Sequence, residues 1–423
     1  MSAVGGWARR LVERQLSRLA TGRLLIEDGG VERAFGEDLA GPARRFGAAR
    51  LVPLEARLRV HDPGFYRALV LGGHIGAAEA YAEGLWDSDD LPTLIRLLLR
   101  NRPVLEGMES GLARLAQPAR WLGHLLRRNT RSGSRRNIAA HYDLGNEFFA
   151  QFLDGSLTYS SAYFERPGMT LAQAQTAKYE RLCAKLELRP DHHLLEIGTG
   201  WGGFALHAAS RYGCRVTTTT ISERQHRYAV ERVAAAGLAD RVTVLRRDYR
   251  DLEGRFDRVA SIEMVEAVGH RYFGTFFARI AGLLEPDGVA AIQAITIQDR
   301  LYDAARRDVD FIKRYIFPGS CIPAVSVLLE ASRRTDLRLL QAEDFGPHYA
   351  RTLREWRERF DANRAAIESL GFDRWFQRLW RFYFAYCEGG FAEGTLGVSQ
   401  LKLARPLRVD PVPEPIGALA EVA

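Results

Sequence analysis

The chain has 423 residues, of which 47% are apolar and 26% are charged. These values are ordinary for globular proteins and exclude a wholly disordered, fibrous or collagen-like chain. Because one hydrophobic core rarely organises so long a chain, we expect two domains. We expect no membrane-spanning helix, since no run of about twenty uncharged apolar residues occurs, and no signal peptide, since arginines interrupt the N-terminal stretch. The four cysteines form no Cys-x-x-Cys pair, which argues against a metal site or a disulfide framework and favours the cytoplasm.

The formal net charge is +7, and arginine carries nearly all of the positive charge. Such a charge fits attraction to nucleic acid, to an anionic bilayer or to an acidic ligand, although a GC-rich genome would give the same bias. Residues 7–19 place apolar side chains on one helical face and arginines mostly off it. This pattern predicts either a helix that lies on anionic lipid or one whose apolar face docks on its own domain, and the sequence leaves both open.

Residues 1–125 are predicted to form a smaller α+β domain, for which lipid contact is a candidate role. Between 23 and 59, short β-type runs are broken by glycine and proline, which predicts a small antiparallel sheet. Helical patterns follow in PGFYRALVLG, IGAAEAYAEGL and LPTLIRLLLRN, and Asp90 is placed to cap the last of them. The arginine-rich segment 126–137 predicts a flexible linker. The tail 406–423 is expected to be loosely ordered.

Residues 138–405 carry a different pattern, in which strands alternate with helices. An aromatic helical segment at 141–152 comes first, and the alternation then runs from 193 to 297. Strands and helices of these lengths predict an α/β fold, in which helices cover both faces of a mostly parallel, doubly wound sheet. The stretch from about 300 to 392 is mostly helical and predicts an insertion placed to form a substrate lid. Strand-like residues return at 395–404.

A glycine-rich loop, LLEIGTGWGGFA at 194–205, follows a predicted strand and opens a helix. Gly198, Gly200 and Gly202 allow the backbone to turn sharply and to approach a ligand where a Cβ would collide. The helix N-terminus behind the loop offers unpaired N–H groups to a negatively charged part of that ligand. The loop therefore predicts a nucleotide-like cofactor.

Because Gly203 is also a glycine, the loop fits both a dinucleotide fold and a methyl-donor fold. A dinucleotide fold needs an acidic residue at the end of the second strand to hold the ribose, whereas that strand ends here at Thr220 with no carboxylate before Glu223. An acid just before the loop, Glu196, is typical of S-adenosylmethionine (SAM) methyltransferases. We therefore expect SAM rather than NAD.

Segments of the C-terminal half resemble the cyclopropane-fatty-acyl-phospholipid synthase family, which includes the mycolic acid cyclopropane synthases. They occur in the family's order and spacing between about 135 and 405, and the N-terminal region resembles that of the longer bacterial synthases less specifically. The matching segments are HYDLGNEFFAQFLD (141–154), LTYSSAYFE (157–165), the glycine loop, TISERQ (220–225), DYRDL (248–252), IEMVEAVG (262–269), KRYIFPG (313–319) and FGPHYARTLREW (345–356). The resemblance implies a class I methyltransferase-like sheet of seven strands. It also implies transfer of a one-carbon unit from SAM to the cis double bond of an unsaturated acyl chain in a phospholipid, with a cyclopropane fatty acid as the expected product.

The resemblance further implies a proton-accepting site, which in the family is a bicarbonate held by Cys, Glu, His and Tyr side chains and a backbone amide. Glu266 and Tyr349 fall on the family's glutamate and tyrosine. The family's cysteine is Ser161 here and its histidine is Gln293, and both can still donate hydrogen bonds to an anion. Bicarbonate is thus left open as a cofactor, and Glu266 is the alternative base. Glu263 stands where glycine is common in relatives.

The same resemblance implies the residues that bind SAM. The methionine end is expected at Tyr159 and Ser160, the ribose at Thr220 and Gln225, and the adenine at Asp248 and Tyr249. The other expected cofactor residues are Glu196, Gly198, Gly200, Gly202 and Ile262. The residues expected to line the acyl pocket are Tyr315, Phe317 and Pro318, although an aromatic stripe at such spacing is as often simple core.

The sequence leaves other functions open. A related lipid C-methyltransferase would give a methyl- or methylene-branched acyl chain. A nucleic-acid methyltransferase would fit the basic charge, but the Asn/Asp-Pro-Pro-aromatic motif of base methylases is replaced by Ile262-Glu263-Met264-Val265, so we expect no nucleic-acid partner. A non-catalytic lipid-binding homologue would fit the loss of cysteine and histidine from the anion site. For the leading function we expect a phospholipid bilayer as partner, peripheral association with the inner face of the membrane, and a homodimer as one option for assembly.

Overall fold

The computed structural model describes residues 3–37, 45–46, 49–50, 53–109 and 144–408. The predicted linker, the first residues of the 141–152 aromatic segment and the tail from 409 onwards lie outside the described residues. Within the described part of the chain, no helix has the length and apolar character needed to cross a membrane.

The N-terminal part is an α+β unit. Its elements are α1 (Ala3–Leu16), β1 (Arg23–Asp28), β2 (Val31–Gly36), β3 (Arg45–Phe46), β4 (Ala49–Arg50), β5 (Glu55–Val60), α2 (Gly64–Glu83), β6 (Trp86–Ser88), α3 (Leu91–Arg100) and α4 (Arg102–Glu109). Four of its strands form a sheet of order β2-β1-β5-β6, in which β1 and β5 run parallel and the other neighbours run antiparallel. The prediction of an antiparallel sheet is therefore wrong in one pairing, because β5 joins β1 on the side away from the β1–β2 hairpin and in the same direction.

Helix α1 turns its apolar face inward. Ala8, Val12 and Leu16 are buried in the N-terminal core, whereas Leu11 is 42% exposed. Of the two arrangements that the sequence left open, docking on its own domain is the one observed, and it leaves little of the apolar face for lipid.

Two of the predicted helical patterns form the single helix α2, which continues through a break at Gly73, where φ is 58°. The prediction for Asp90 is confirmed, because its carboxylate accepts a hydrogen bond from the Thr93 N–H at 3.1 Å at the start of α3.

The C-terminal part is built around a sheet of seven strands. Its longer elements are α5 (Asn146–Ala150), α6 (Leu171–Leu186), β7 (His193–Ile197), α7 (Gly203–Tyr212), β8 (Arg215–Thr219), α8 (Glu223–Ala235), β9 (Val242–Leu245), β10 (Phe256–Ile262), α9 (Phe273–Leu283), β11 (Leu284–Ile297), α10 (Asp299–Arg307), α11 (Val325–Ser332), β12 (Arg338–Asp344), α12 (Gly346–Ala362), α13 (Arg364–Ser369), α14 (Arg374–Ala392) and β13 (Leu396–Ala404). The strand order is β12-β13-β11-β10-β7-β8-β9, and only β13 runs antiparallel to its neighbours. The predicted class I methyltransferase-like α/β fold is confirmed.

Strand β12 lies inside the stretch 300–392 that the sequence predicts to be mostly helical. Among the described strands it pairs with β13 alone, at the edge of the sheet. Its side chains are exposed or half-buried, so it lacks the apolar alternation that marks a strand.

Helix α14 joins the two parts of the molecule. The buried Arg378 side chain donates from Nε to the Tyr81 carbonyl at 2.6 Å and from Nη1 to Asp87 Oδ2 at 3.0 Å. Gly389 lies so close to α3 that a Cβ there would stand 2.7 Å from Ile95 Cγ2. The N-terminal domain therefore fixes the position of α14.

Candidate active site

The glycine loop lies between β7 and α7, next to the point where the strand order reverses. Gly198 (φ 97°) and Gly200 (φ 54°) have left-handed backbone conformations, which glycine adopts without strain. Both line an open cavity of about 910 Å³, and a Cβ built on Gly200 would meet no described atom within 4 Å. The cavity lies at the C-terminal ends of the parallel strands, where open α/β sheets bind ligands.

Most of the predicted cofactor residues surround this loop. Those that line the cavity are Tyr159, Ser160, Glu196, Gly198, Gly200, Thr220, Gln225, Asp248, Tyr249 and Ile262. Gly202 does not line it but is the N-cap residue of α7, with a φ of 88°. Thr220 Oγ1 donates to Gln225 Oε1 at 2.9 Å, so the two residues expected at the ribose lie side by side. This set fits SAM, because it combines open space at Gly200 with neighbouring polar side chains and an aromatic ring at Tyr249.

Two charged residues are buried at this end of the cavity. Glu196 accepts a hydrogen bond from Thr218 Oγ1 at 2.5 Å, and burial raises its pKa to about 7. Lys178 on α6 donates from Nζ to Ser160 Oγ at 2.7 Å, and burial lowers its pKa to about 8. Sequence reasoning missed Lys178, because a single lysine on a helix forms no motif. The contact fixes the side chain of Ser160, which the sequence places at the methionine end of SAM.

The groups expected to hold an anion meet at a carboxylate of the protein itself. Glu263 Oε1 accepts hydrogen bonds from the Ser161 N–H at 2.9 Å and from Gln293 Nε2 at 2.8 Å. Glu263 Oε2 accepts one from the Tyr349 hydroxyl at 3.0 Å. The family resemblance implies a catalytic role for these three partners but none for the carboxylate that they share. The signal that could have found it was a glutamate at a position where glycine is common.

Two of these partners lie behind Glu263 rather than in the cavity wall. Ser161 and Gln293 are fully buried, and neither lines the cavity, whereas Glu263 and Tyr349 do. The Ser161 hydroxyl donates to the Ala162 carbonyl at 3.0 Å, so only its backbone N–H serves the carboxylate. The structure therefore corrects the expectation that the Ser161 side chain holds an anion.

Glu266, the glutamate predicted from the family, lines the same cavity as Glu263. Its Oε1 accepts a hydrogen bond from the Ile295 N–H, and its Oε2 is buried without a partner among the described residues. Burial and, second, the charge of Glu263 raise the pKa of Glu266 to about 8. Burial also raises the pKa of Glu263, but its hydrogen bonds favour the charged form. Of the two carboxylates, Glu263 is therefore the one whose contacts favour the negative charge.

The remainder of the cavity is mostly apolar. Phe317 and Pro318 line it, and so do Leu353 of α12 and Phe391 of α14. Tyr315 does not line it, because its hydroxyl donates to Glu79 on α2 of the N-terminal domain. The prediction for Tyr315 is therefore wrong, since this side chain serves the contact between the domains.

Comparison with known proteins agrees with this geometry. Residues 129–401 match the family model described as mycolic acid cyclopropane synthetase. The chain is 40% identical to the tuberculostearic acid methyltransferase UfaA1 of Mycobacterium tuberculosis over 84% of each chain. It is 35% identical to the cyclopropane-fatty-acyl-phospholipid synthase of Escherichia coli K12, over 83% of this chain and 88% of that one.

Solved structures show the same likeness. The cyclopropane synthase MmaA2 from Mycobacterium tuberculosis has a TM-score of 0.61 and 32% identity, over 64% of this chain and 98% of that one. The mycolic acid cyclopropane synthase CmaA1, complexed with SAH and CTAB, has a TM-score of 0.61 and 31% identity, over the same shares. The chain therefore belongs to the mycolic acid cyclopropane synthase family and is a SAM-dependent C-methyltransferase.

Proposed function

We propose that this enzyme transfers a one-carbon unit from SAM to the cis double bond of an unsaturated acyl chain in a phospholipid and forms a cyclopropane fatty acid. The observation that carries the proposal is one cavity in which the glycine loop, the pair Glu263 and Glu266, and the apolar lid residues all meet. When bound, SAM supplies a methyl group made electrophilic by its positively charged sulfur.

The apolar wall answers the main chemical demand of this reaction. An alkene is a weak nucleophile, so catalysis depends strongly on holding the double bond in line with the methyl group. The carbocation that forms on the acyl chain would be captured by water, so the site has to exclude it. The hydroxyl groups of Tyr159 and Tyr383, which both line the cavity, are hydrogen-bonded at 2.9 Å. The ring centroids of Phe317 and Tyr159 lie 6.2 Å apart. These rings give this part of the cavity an apolar wall, and their faces favour a cation.

We also propose that the enzyme acts on lipids of a bilayer, at the inner face of the membrane and without a nucleic-acid partner. The net charge of +7 suits an anionic surface. The N-terminal domain contributes His74, Leu99 and Arg102 to the cavity wall, so an acyl chain entering there would pass between the two domains. Assembly as a homodimer stays one option, and the molecular mass in solution would decide it.

A methyl- or methylene-branched product is the second candidate. The observation that favours it is that the relative with 40% identity is named a methyltransferase rather than a cyclopropane synthase. A cyclopropane and a methylene-branched chain have the same mass, so mass alone does not distinguish them.

The test is incubation with methyl-labelled SAM and vesicles of unsaturated phospholipid, followed by NMR of the recovered acyl chains. Ring protons would support the cyclopropane product. An exocyclic methylene with no ring would overturn it in favour of the branched product, and label found in RNA but not in lipid would overturn the lipid assignment.

A further inference from the structure

We propose that the Glu263 carboxylate is the base of this reaction and that it takes the place of a bound bicarbonate. The inference rests on the proposed function for its chemistry, but on the contacts of Glu263 for its assignment. It adds a catalytic residue that the family pattern does not supply, since glycine is common at this position in relatives.

The hydrogen-bond donors that an external anion would need already bind Glu263. The backbone N–H of Ser161, the side-chain amide of Gln293 and the hydroxyl of Tyr349 all donate to Glu263, at distances of 2.8 to 3.0 Å. The other end of the Gln293 amide is also held, because its Oε1 accepts from Gln400 Nε2 at 3.0 Å. A bicarbonate in this place would have to displace the carboxylate and would lie against its negative charge. These residues therefore do not fit a bound bicarbonate.

The backbone of Glu263 holds its carboxylate in place. Its φ of 48° is left-handed, a conformation that is uncommon for a residue other than glycine and that persists only where the surroundings enforce it. Its own N–H donates to the Gln293 carbonyl at 2.8 Å, so backbone and side chain are both tied to the same neighbour on β11. The carboxylate is thus held in one position at the cavity wall, as a base needs to be.

Glu263 and Glu266 differ in the hydrogen bonds that their carboxylates receive. Both glutamates line the cavity, but the hydrogen bonds to Glu266 come from backbone N–H groups, those of Ile295 and of Glu266 itself, and its Oε2 is without a partner among the described residues. The groups that stabilise a negative charge therefore converge on Glu263. Of the pair, Glu263 is therefore the carboxylate better placed to carry the negative charge and to accept a proton.

Proton transfer to Glu263 and closure of the ring occur in one step. Glu263 removes a proton from the methyl group newly added to the acyl chain, and the electron pair of that C–H bond closes the three-membered ring onto the neighbouring cationic carbon. The carboxylate becomes a carboxylic acid, and the proton later passes to solvent. No dissolved anion is consumed or required.

The experiment compares wild type with E263Q, E263G, E266Q and the exposed control E253Q. Lipid products are measured by NMR in CO₂-free buffer and with added bicarbonate, and SAM affinity and thermal unfolding are measured for each protein. We expect equal wild-type activity in both buffers. We expect E263Q to bind SAM normally but to lose activity by about 10²- to 10⁴-fold, the usual contribution of a general base. E266Q should lose less than E263Q, and E253Q should match wild type.

E263G provides a test that does not depend on a stable glutamine variant, because glycine relaxes the left-handed backbone and leaves the three donors open. We expect its activity to be low in CO₂-free buffer and to rise at least tenfold with bicarbonate or formate. Wild-type activity that requires bicarbonate, or E263Q activity close to wild type, would overturn this inference while leaving the proposed function intact. A wild-type protein that modifies no lipid in either buffer refutes the proposed function, and the role of Glu263 with it.

Discussion

Alanine at Gly200 would separate the cost of a strained backbone from the loss of the cofactor site. Gly200 has a φ of 54°, and an ideal Cβ there meets no described atom within 4 Å. The fold would therefore lose only the free energy needed to hold a residue other than glycine in a left-handed conformation, about 1–2 kcal/mol. Each kcal/mol lowers the Tm of a large domain by about 2–4 °C. The added methyl group would project into the cavity. We expect SAM affinity to fall at least tenfold, a loss of about 1.4 kcal/mol.

The matched control is alanine at Gly237, which lies in an exposed turn. Its φ is 67°, and a Cβ there also meets no described atom within 4 Å, so the backbone cost is the same while no cavity is involved. Calorimetric titration with SAM, together with thermal unfolding, would be run on both variants. We expect both to lose similar stability and only G200A to lose affinity. Wild-type affinity in G200A, or an equal loss in G237A, would refute the placement of SAM at this loop.

Two further predictions concern buried charges. The pKa of Glu266 is raised by burial from 4.5 to about 8, so the folded state takes up a proton, and this group's contribution to stability is greatest below about pH 4.5 and declines as the pH rises to about 8. The Tm of E266Q relative to wild type should therefore increase across that window, and a constant difference would contradict the shifted pKa. The variant R378M removes the donors to the buried Tyr81 carbonyl and to the half-buried Asp87, so it should lower the free energy of unfolding by about 1–3 kcal/mol, the cost of leaving a buried acceptor without its donor. The exposed Arg374 gives the control R374M, and equal denaturant midpoints for both variants would count against a role for Arg378 in joining the domains.

The sequence predicted the central strands closely because each is a run of apolar or β-branched residues that ends at a turn. The alternation expected from 193 to 297 begins and ends with observed strands, β7 at His193–Ile197 and β11 at Leu284–Ile297. The parallel pairing of β1 with β5 was not predicted, because strand pairing depends on the path of the chain between strands and not on the pattern within them. Strand β12 was missed for a different reason, since its exposed side chains carry no periodic signal.

The candidate site shows the same division between local and distant information. The glycine loop is one continuous segment, so a nucleotide-like cofactor could be inferred from it, and the nearby Glu196 and Thr220 favoured SAM over NAD. The contacts of Ser160 with Lys178 and of Tyr315 with Glu79 join separate elements, so no local sequence pattern could predict them. The family pattern placed Tyr349 at the proton-accepting site, but the group that Tyr349 contacts could be found only when the strands were assembled.

The three departures from the family pattern are best explained as one change. A glycine in place of Glu263 would leave room for an external anion, whereas the glutamate fills that room and needs only donors around it. Gln293 supplies a donor that does not titrate, and Ser161 supplies a backbone N–H while its hydroxyl donates elsewhere. The cysteine and histidine expected from the family are therefore not missing parts of a damaged site. Their replacements are sufficient for an internal carboxylate, and on this argument restoring the cysteine and histidine without removing Glu263 should not restore a response to bicarbonate.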